Sequence, residues 1–224
     1  MLTKYQEKVI KSLSTKKGRE EYGLCLVEGQ KVIELAGDFV EYSFGPKDSM
    51  RFHQLVTTET PQSHAAVARI PVWDIKDIMK NDIIVLLDSV QDPGNVGTIL
   101  RLCLGFRAGL LLIESADPLS PKVIRSSVGA LFQVPWISIK QKDISGILKK
   151  ISRPVFRLEK KKEAQDISKT RIHLPIALVA GSEGRGIRKN IKGVSLTIHH
   201  HQALESLNVG HALAIALYAL RVHP

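Results

Sequence analysis

Three stretches in the C-terminal two thirds of the chain hold residues whose types and spacing could do chemistry. In "DSVQDPGNVGTILR" (88–101), Asn95 follows the Pro93-Gly94 turn, where its side chain is placed to cap a helix. Gly97 removes a side chain from the first helical turn, so a backbone or a ligand can approach closely. Arg101 follows nearly two turns later and can project over the same mouth. In "LVAGSEGRGIRKNI" (178–191), Gly181, Gly184 and Gly186 leave backbone N–H groups open to the edge of a polar ligand, and Glu183 sets a carboxylate among them. In "TIHHHQALESLNVGHALAIALYAL" (197–220), Ser206 reads as the N-cap of the last helix. Taken singly, the first stretch also reads as a capped helix with a surface arginine, and the second as a loose surface loop.

Some chemistries fall away. No Gly-Lys-Ser/Thr follows the glycines, so this is no Walker A loop, and the spacing is not that of a dinucleotide fingerprint. His199, His200 and His201 are adjacent, so on a strand they alternate between faces and cannot all serve one ion. No metal site is expected.

The elements that must position these stretches form a regular alternation from residue 82 onward. "DIIVLLDSV", "AGLLLIES", "QVPWISI", "RPVFRL", "LPIALVAG" and "VSLTIH" read as strands, several apolar on both faces as in the centre of a parallel sheet. "TILRLCLGF", "SPKVIRSSVGALF", "ISGILKKI" and a final helix starting near Ser206 lie between or after them. The fold class is therefore α/β with a parallel core, and a site is expected in the crevice beyond the carboxyl ends of the strands. Residues 1–75 read as a smaller unit of short elements ("KYQEKVIKSL", "LCLVEG", "QKVIELAG", "AAVARIPV"), residues 76–81 as a linker, and residues 82–224 as the main domain.

Charge is uneven. The first 80 residues carry 12 Lys/Arg against 11 Asp/Glu and the remaining 144 carry 20 against 11, so nearly all of the +10 formal charge belongs to the C-terminal part. An anionic partner follows, nucleic acid first among them. The run "KKISRPVFRLEKKK" (149–162), with Lys149, Lys150, Arg153, Lys160, Lys161 and Lys162, is a candidate phosphate-tracking surface, or else a solvated face. Cys25 and Cys103 are isolated and suggest a reducing compartment. With no apolar leader at the start and no convincing membrane span, the expectation is a cytoplasmic protein without membrane partners.

Taken together, "NVGTILR", "GSEGRGI" and "ESLNVGHALAIAL" resemble motifs 1, 2 and 3 of the SpoU (TrmH) RNA 2′-O-ribose methyltransferases of the SPOUT superfamily. The likeness spans residues 82–222 in the right order and includes "SSVGALFQVPW"; "KKGREEYGLCLVEGQKVIELA" resembles the ribosomal-protein-like substrate-binding domain that precedes the catalytic domain in many members. The resemblance implies methyl transfer from S-adenosyl-L-methionine to a ribose 2′-hydroxyl, rRNA ahead of tRNA, by a homodimer whose C-terminal domain ends in a trefoil knot. By position it implies Gly181, Ile198 and Leu207 as cofactor contacts, and Asn95, Arg101, Glu183, Ser206 and Asn208 as the catalytic set. Within that set, Arg101 would stabilise an alkoxide or clamp a phosphate, Glu183 would pair with Arg101, and the two asparagines would position loop and ribose.

The chain departs from the family pattern in two places. The usual Ile-Pro-Met is Ile198-His199-His200, and the usual small polar residue after "SLNV" is Gly210. The competing reading is a non-catalytic RNA-binding or ribosome-associated protein on the same scaffold.

Overall fold

The computed structural model describes residues 1–58, 63–182 and 184–222. The N-terminal part runs α1 (Lys4–Ser12), α2 (Lys16–Tyr22), β1 (Leu24–Glu28), α3 (Gln30–Ala36), β2 (Val40–Phe44), α4 (Phe52–Leu55) and β3 (Ala65–Arg69). A capping box starts α1: Thr3 Oγ1 accepts the Gln6 N–H while Gln6 Oε1 accepts the Thr3 N–H. The strands form an antiparallel sheet in the order β1-β3-β2. The sequence pattern did not disclose β2, an edge strand with the half-exposed alternation of "VEYSF".

Residues 76–81, expected to be a linker, largely belong to a helix, α5 (Ile75–Met79). Asp74 caps it, accepting from the N–H groups of Lys76 and Asp77, and Ile78 is fully buried. A buried isoleucine after a good N-cap is a helix packed on something, and here its neighbour is the Gly109 backbone of the main sheet.

The main sheet is built from β4 (Ile83–Asp88), β5 (Ala108–Ile113), β6 (Trp136–Ile139), β7 (Val155–Leu158), β8 (Gln165–Asp166), β9 (Ile176–Gly181) and β10 (Val194–Thr197). Its order is β6-β5-β4-β9-β7-β10-β8 and every pairing is parallel. Every residue of β4 and β5 is buried, which explains their unbroken apolar sequences. Side chains alternate between two cores: Ile83, Val85 and Leu87 face α6 (Pro93–Gly105), α7 (Pro121–Ser127) and α9 (Val209–Val222), whereas Ile84 and Leu86 face α8 (Ile144–Ile151).

The small sheet joins the first of these cores through Cys25, Val27, Ala66 and Ala68. Polar clamps reinforce the junction. Arg19 Nη2 lies 2.6 Å from Asp117 Oδ2, and the buried Glu28 accepts from the hydroxyls of Thr57 and Thr58 and pairs with Arg125.

Gly97 does admit a close neighbour, and the neighbour is protein. A Cβ placed there would lie 2.0 Å from Ser126 Oγ and 2.8 Å from the Ser126 carbonyl carbon, where α7 crosses α6. Gly97→Ala is expected to separate the two helices and cost about 1–3 kcal/mol, a fall in Tm of roughly 2–10 °C by thermal denaturation.

Candidate active site

Parallel pairing of β4 with β9 places Asp88 opposite Gly181, so two of the chemistry-bearing loops leave the sheet side by side. The third, after β10, leads into α9. Local capping differs from the sequence expectation at both helices. Asn95 does not cap α6; Asp92 does, its Oδ1 accepting the Asn95 N–H at 2.8 Å, because Pro93 takes the first helical position and makes the preceding residue the cap. Ser206 does not cap α9 either. The helix starts at Val209, and Asn208 Oδ1 accepts the N–H groups of Gly210 (3.0 Å) and His211 (3.3 Å). Ser206 lies exposed in irregular backbone before it.

Relieved of capping, the Asn95 side chain meets that of Asn208: Asn208 Nδ2 donates to Asn95 Oδ1 at 3.0 Å across 113 residues of sequence. The N-termini of α6 and α9 are thus tied at one point. Two cavities meet beside it. The first, of about 410 Å³, is lined by Gly181, Ser182, Ile198, His200, Ser206, Leu207 and Val209, and by Glu159, Lys160, Lys161 and Glu205. The second, of about 480 Å³, is lined by Ser89, Gln91, Asn95, Glu114, Ser182, Arg188 and Val209. Ser182 and Val209 border both.

The structure therefore brings Gly181, Ile198, Leu207 and Ser206 to one cavity, and Asn95, held by Asn208, to the next. Arg101 is separate. It is exposed on α6, lines neither cavity, and makes no hydrogen bond or ion pair among the described residues. Glu183, and with it the expected pairing to Arg101, lies outside the described residues.

Gly181 is required by shape. The loop folds back on itself, Gly186 N–H donating to Ser182 O at 2.8 Å, and a Cβ on Gly181 would sit 2.3 Å from the Gly186 backbone.

Of the basic run, Arg153 is committed internally, donating to the carbonyls of Met79 and Asn81. Lys160 donates to the carbonyls of Leu204 and Glu205 at 3.3 Å each, and Lys161 pairs with Glu159 at 3.0 Å, both on the wall of the first cavity. Lys149, Lys150 and Lys162 are exposed. Burial pushes the Glu159 carboxyl up, but hydrogen bonds from Ser195 and Lys161 and the charge of Arg157 outweigh it and hold it below the usual range. The three histidines take separate partners: His199 faces Asp166 at 3.6 Å, His200 Nδ1 lies 2.8 Å from Ile198 O, and His201 Nδ1 accepts the Ala203 N–H.

The sequence reading missed Asp88 and Arg188. Asp88 has no exposed surface; its Oδ2 accepts the Arg188 backbone N–H at 2.8 Å and its Oδ1 lies 3.1 Å from Arg188 Nε. Arg188 Nη2 then reaches Ser89 Oγ at 2.5 Å and Glu114 Oε2 at 2.7 Å. Ser89 (φ 60°) and Glu114 (φ 45°) are non-glycine residues in left-handed backbone, so one guanidinium steadies two strained strand ends. A charge closing an otherwise apolar strand was the signal, since a buried carboxylate demands a partner.

A model of the SpoU rRNA Methylase family matches residues 82–218, which span all of these loops. The chain belongs to the SpoU rRNA methylase family. Among curated SpoU relatives it is 30% identical over 238 residues to the 23S rRNA (guanosine(2553)-2′-O)-methyltransferase RlmP of Bacillus subtilis, covering 94% of each chain. It matches the structure of an RNA methyltransferase assigned to the TrmH family from Porphyromonas gingivalis with a TM-score of 0.86 and 30% identity, covering 100% of both chains. The AdoMet-bound rRNA methyltransferase of Sinorhizobium meliloti shares the fold, with a TM-score of 0.86, 24% identity, and coverage of 100% of this chain and 96% of that one.

Arg188→Met should strand the buried Asp88 carboxylate and destabilise the protein by about 3–5 kcal/mol, read from the urea midpoint. Asp88→Asn combined with Arg188→Met should lose less than the sum of the two single variants, because both act on one pair. Glu114 is held below the usual carboxylate range, first by its hydrogen bond from Arg188. Its share of stability is therefore present above the ordinary carboxylate range and lost as pH falls through the lowered value, and Arg188→Met should flatten that part of the acid limb.

Proposed function

We propose that this SpoU-family chain transfers the methyl group of S-adenosyl-L-methionine to a ribose 2′-hydroxyl of structured RNA, with rRNA ahead of tRNA as substrate. The Asn208–Asn95 hydrogen bond carries this reading: it ties the first and third motifs where the two cavities adjoin. The first cavity fits the cofactor. Its wall mixes apolar Leu158, Ala180, Ile198, Leu207 and Val209 with Glu159, Lys160, Lys161 and Glu205, the combination that an adenine joined to an amino-acid zwitterion requires. The names of the Bacillus subtilis and Sinorhizobium meliloti proteins, a ribose 2′-O-methyltransferase and an AdoMet-bound rRNA enzyme, support the same chemistry.

When bound, S-adenosyl-L-methionine supplies an electrophilic methyl on a sulfonium. The chain supplies placement. Gly181 and the folded-back loop after β9 leave room for backbone contacts, with Ile198 and Leu207 facing the same space. The acceptor ribose enters the second cavity, where Asn95 and Asn208 hold the loops at a fixed separation. Arg101 is not the base, because a guanidinium stays protonated. It neutralises the developing alkoxide or the neighbouring phosphate, and the proton leaves to RNA phosphate or water. Glu183 and Ser206 complete the set by position in the motifs.

Because Arg101 stands apart from the cavities of its own protomer, we assign it to the site of a partner in a homodimer. Exposed Ile215, Tyr218 and Val222 on α9, with Leu104 on α6, support an apolar interface through the C-terminal domain. The trefoil knot is consistent with the strand order, in which β9 enters between β4 and β7 and β10 leaves on the far side of β7. We take residues 1–75 as the RNA substrate-binding domain, 76–81 as its connection and 82–224 as the methyltransferase domain. Among the described residues no helix is long and apolar enough to cross a membrane, which suits the proposed cytoplasmic location.

Labelled-methyl transfer to total rRNA and tRNA tests the activity. Arg101→Ala should abolish transfer and leave the calorimetric Kd for S-adenosyl-L-methionine near the wild-type value; normal turnover would remove Arg101 from the mechanism. Wild-type protein that shows no heat with the cofactor would favour the RNA-binding scaffold instead.

Charge reversal at Lys149, Lys150 and Lys162, the exposed lysines of the run that make no hydrogen bond or ion pair among the described residues, should raise the KM for RNA and lower the salt slope by about 0.7–0.9 for each RNA phosphate that the variant no longer neutralises. An unchanged slope would make the run a solvated face.

A further inference from the structure

Where the family pattern has methionine, this chain has His200, and the structure places it on the wall of the first cavity. Nδ1 lies 2.8 Å from the Ile198 carbonyl oxygen. A carbonyl only accepts, so Nδ1 carries the hydrogen, and in the neutral ring Nε2 is left as an acceptor. That Nε2 is withdrawn from solvent and has no hydrogen-bond partner among the described residues. A buried acceptor without a donor is a standing cost to the fold, and one that a bound donor removes. The ring is also held in orientation in advance by its Nδ1 bond, so little is lost in ordering it when a ligand arrives.

We infer that His200 is a specificity-determining contact for the nucleoside half of S-adenosyl-L-methionine, its Nε2 accepting a hydrogen bond from the adenine amino group or a ribose hydroxyl. The inference rests on the reading of this cavity as the cofactor site. The chemistry of the cofactor selects the half. Its sulfonium and carboxylate carry no donor. Its ammonium is a cation, better matched by the wall carboxylates Glu159 and Glu205 than by a neutral ring nitrogen. The adenine amino and ribose hydroxyl groups are neutral donors that a neutral imidazole matches. A methionine at this position can pack against the ligand, but its thioether is only a weak acceptor.

Calorimetric titration of the full chain tests this with three ligands: S-adenosyl-L-methionine, S-adenosylhomocysteine, and 5′-methylthioadenosine, which lacks the amino-acid end. His200→Phe and His200→Met fill the space without a strong acceptor and should weaken all three ligands by about tenfold. His200→Gln carries an oxygen near the Nε2 position and should stay within about threefold of wild type. Thermal melting of each variant confirms that folded protein is titrated, and the methionine variant serves if the phenylalanine variant does not fold.

Unchanged affinity in His200→Phe or His200→Met overturns the inference, as does a loss in His200→Gln as large as in the apolar variants. A loss confined to the two amino-acid-bearing ligands also overturns it, by moving the contact to the other end. Wild-type protein that binds none of the three instead overturns the cofactor reading itself, so the two failures are distinguishable.

Discussion

A carboxylate with no exposed surface has to be paired, and Asp88 at the end of the central strand is such a group. Its two oxygens take the Arg188 backbone and side chain, which come from the segment after β9. That segment is thereby fastened to the end of β4 rather than left to drift. Arg188 passes the constraint on to Ser89 and Glu114, so the ends of β4, β5 and β9 form one polar unit at the carboxyl edge of the sheet. The second cavity opens against that unit through Ser89, Glu114 and Arg188, and Ser182, the first residue after β9, lines both cavities.

A second tie works across the top of the site. Asp92 takes over the capping of α6, and Asn208 caps α9, leaving one amide on each helix N-terminus to bond to the other. The motif that looked like a capping serine followed by catalytic residues is divided differently in three dimensions. Asn208 both starts the helix and holds Asn95, while Ser206 belongs to the wall of the neighbouring cavity. One side chain thus joins the packing of the last helix to the geometry of the site. The long apolar run that follows forms α9, with Leu213, Ala216, Leu217 and Leu220 buried in the main core.

The basic run shows how the same residue type separates by environment. Arg153 spends its guanidinium on two backbone carbonyls, Lys160 and Lys161 stand at the first cavity, and Lys149, Lys150 and Lys162 remain at the surface. Charge counted along the sequence treats these six as one patch. Their physical roles differ because Arg153, Lys160 and Lys161 already meet acceptors within the fold, while the exposed lysines without such partners among the described residues stay available to a polyanion.

Sequence alone determined the parallel α/β core, because strands buried on both faces must be apolar throughout, as "IIVLL" and "GLLLI" are. It also located the three loops and their family, since glycine turns, asparagines and strand ends are local signals in a diagnostic order. It did not reveal α5, whose Ile78 is buried by a sheet strand some thirty residues further on, nor the capping roles of Asp92 and Asn208, which depend on where each helix begins. Only the tertiary structure joined Asp88 to Arg188 and Asn95 to Asn208, separations of 100 and 113 residues. The reason is physical: hydrophobic period and turn chemistry act over a few residues and are written in order along the chain, whereas the partner of a buried polar group is set by which strands the sheet brings together.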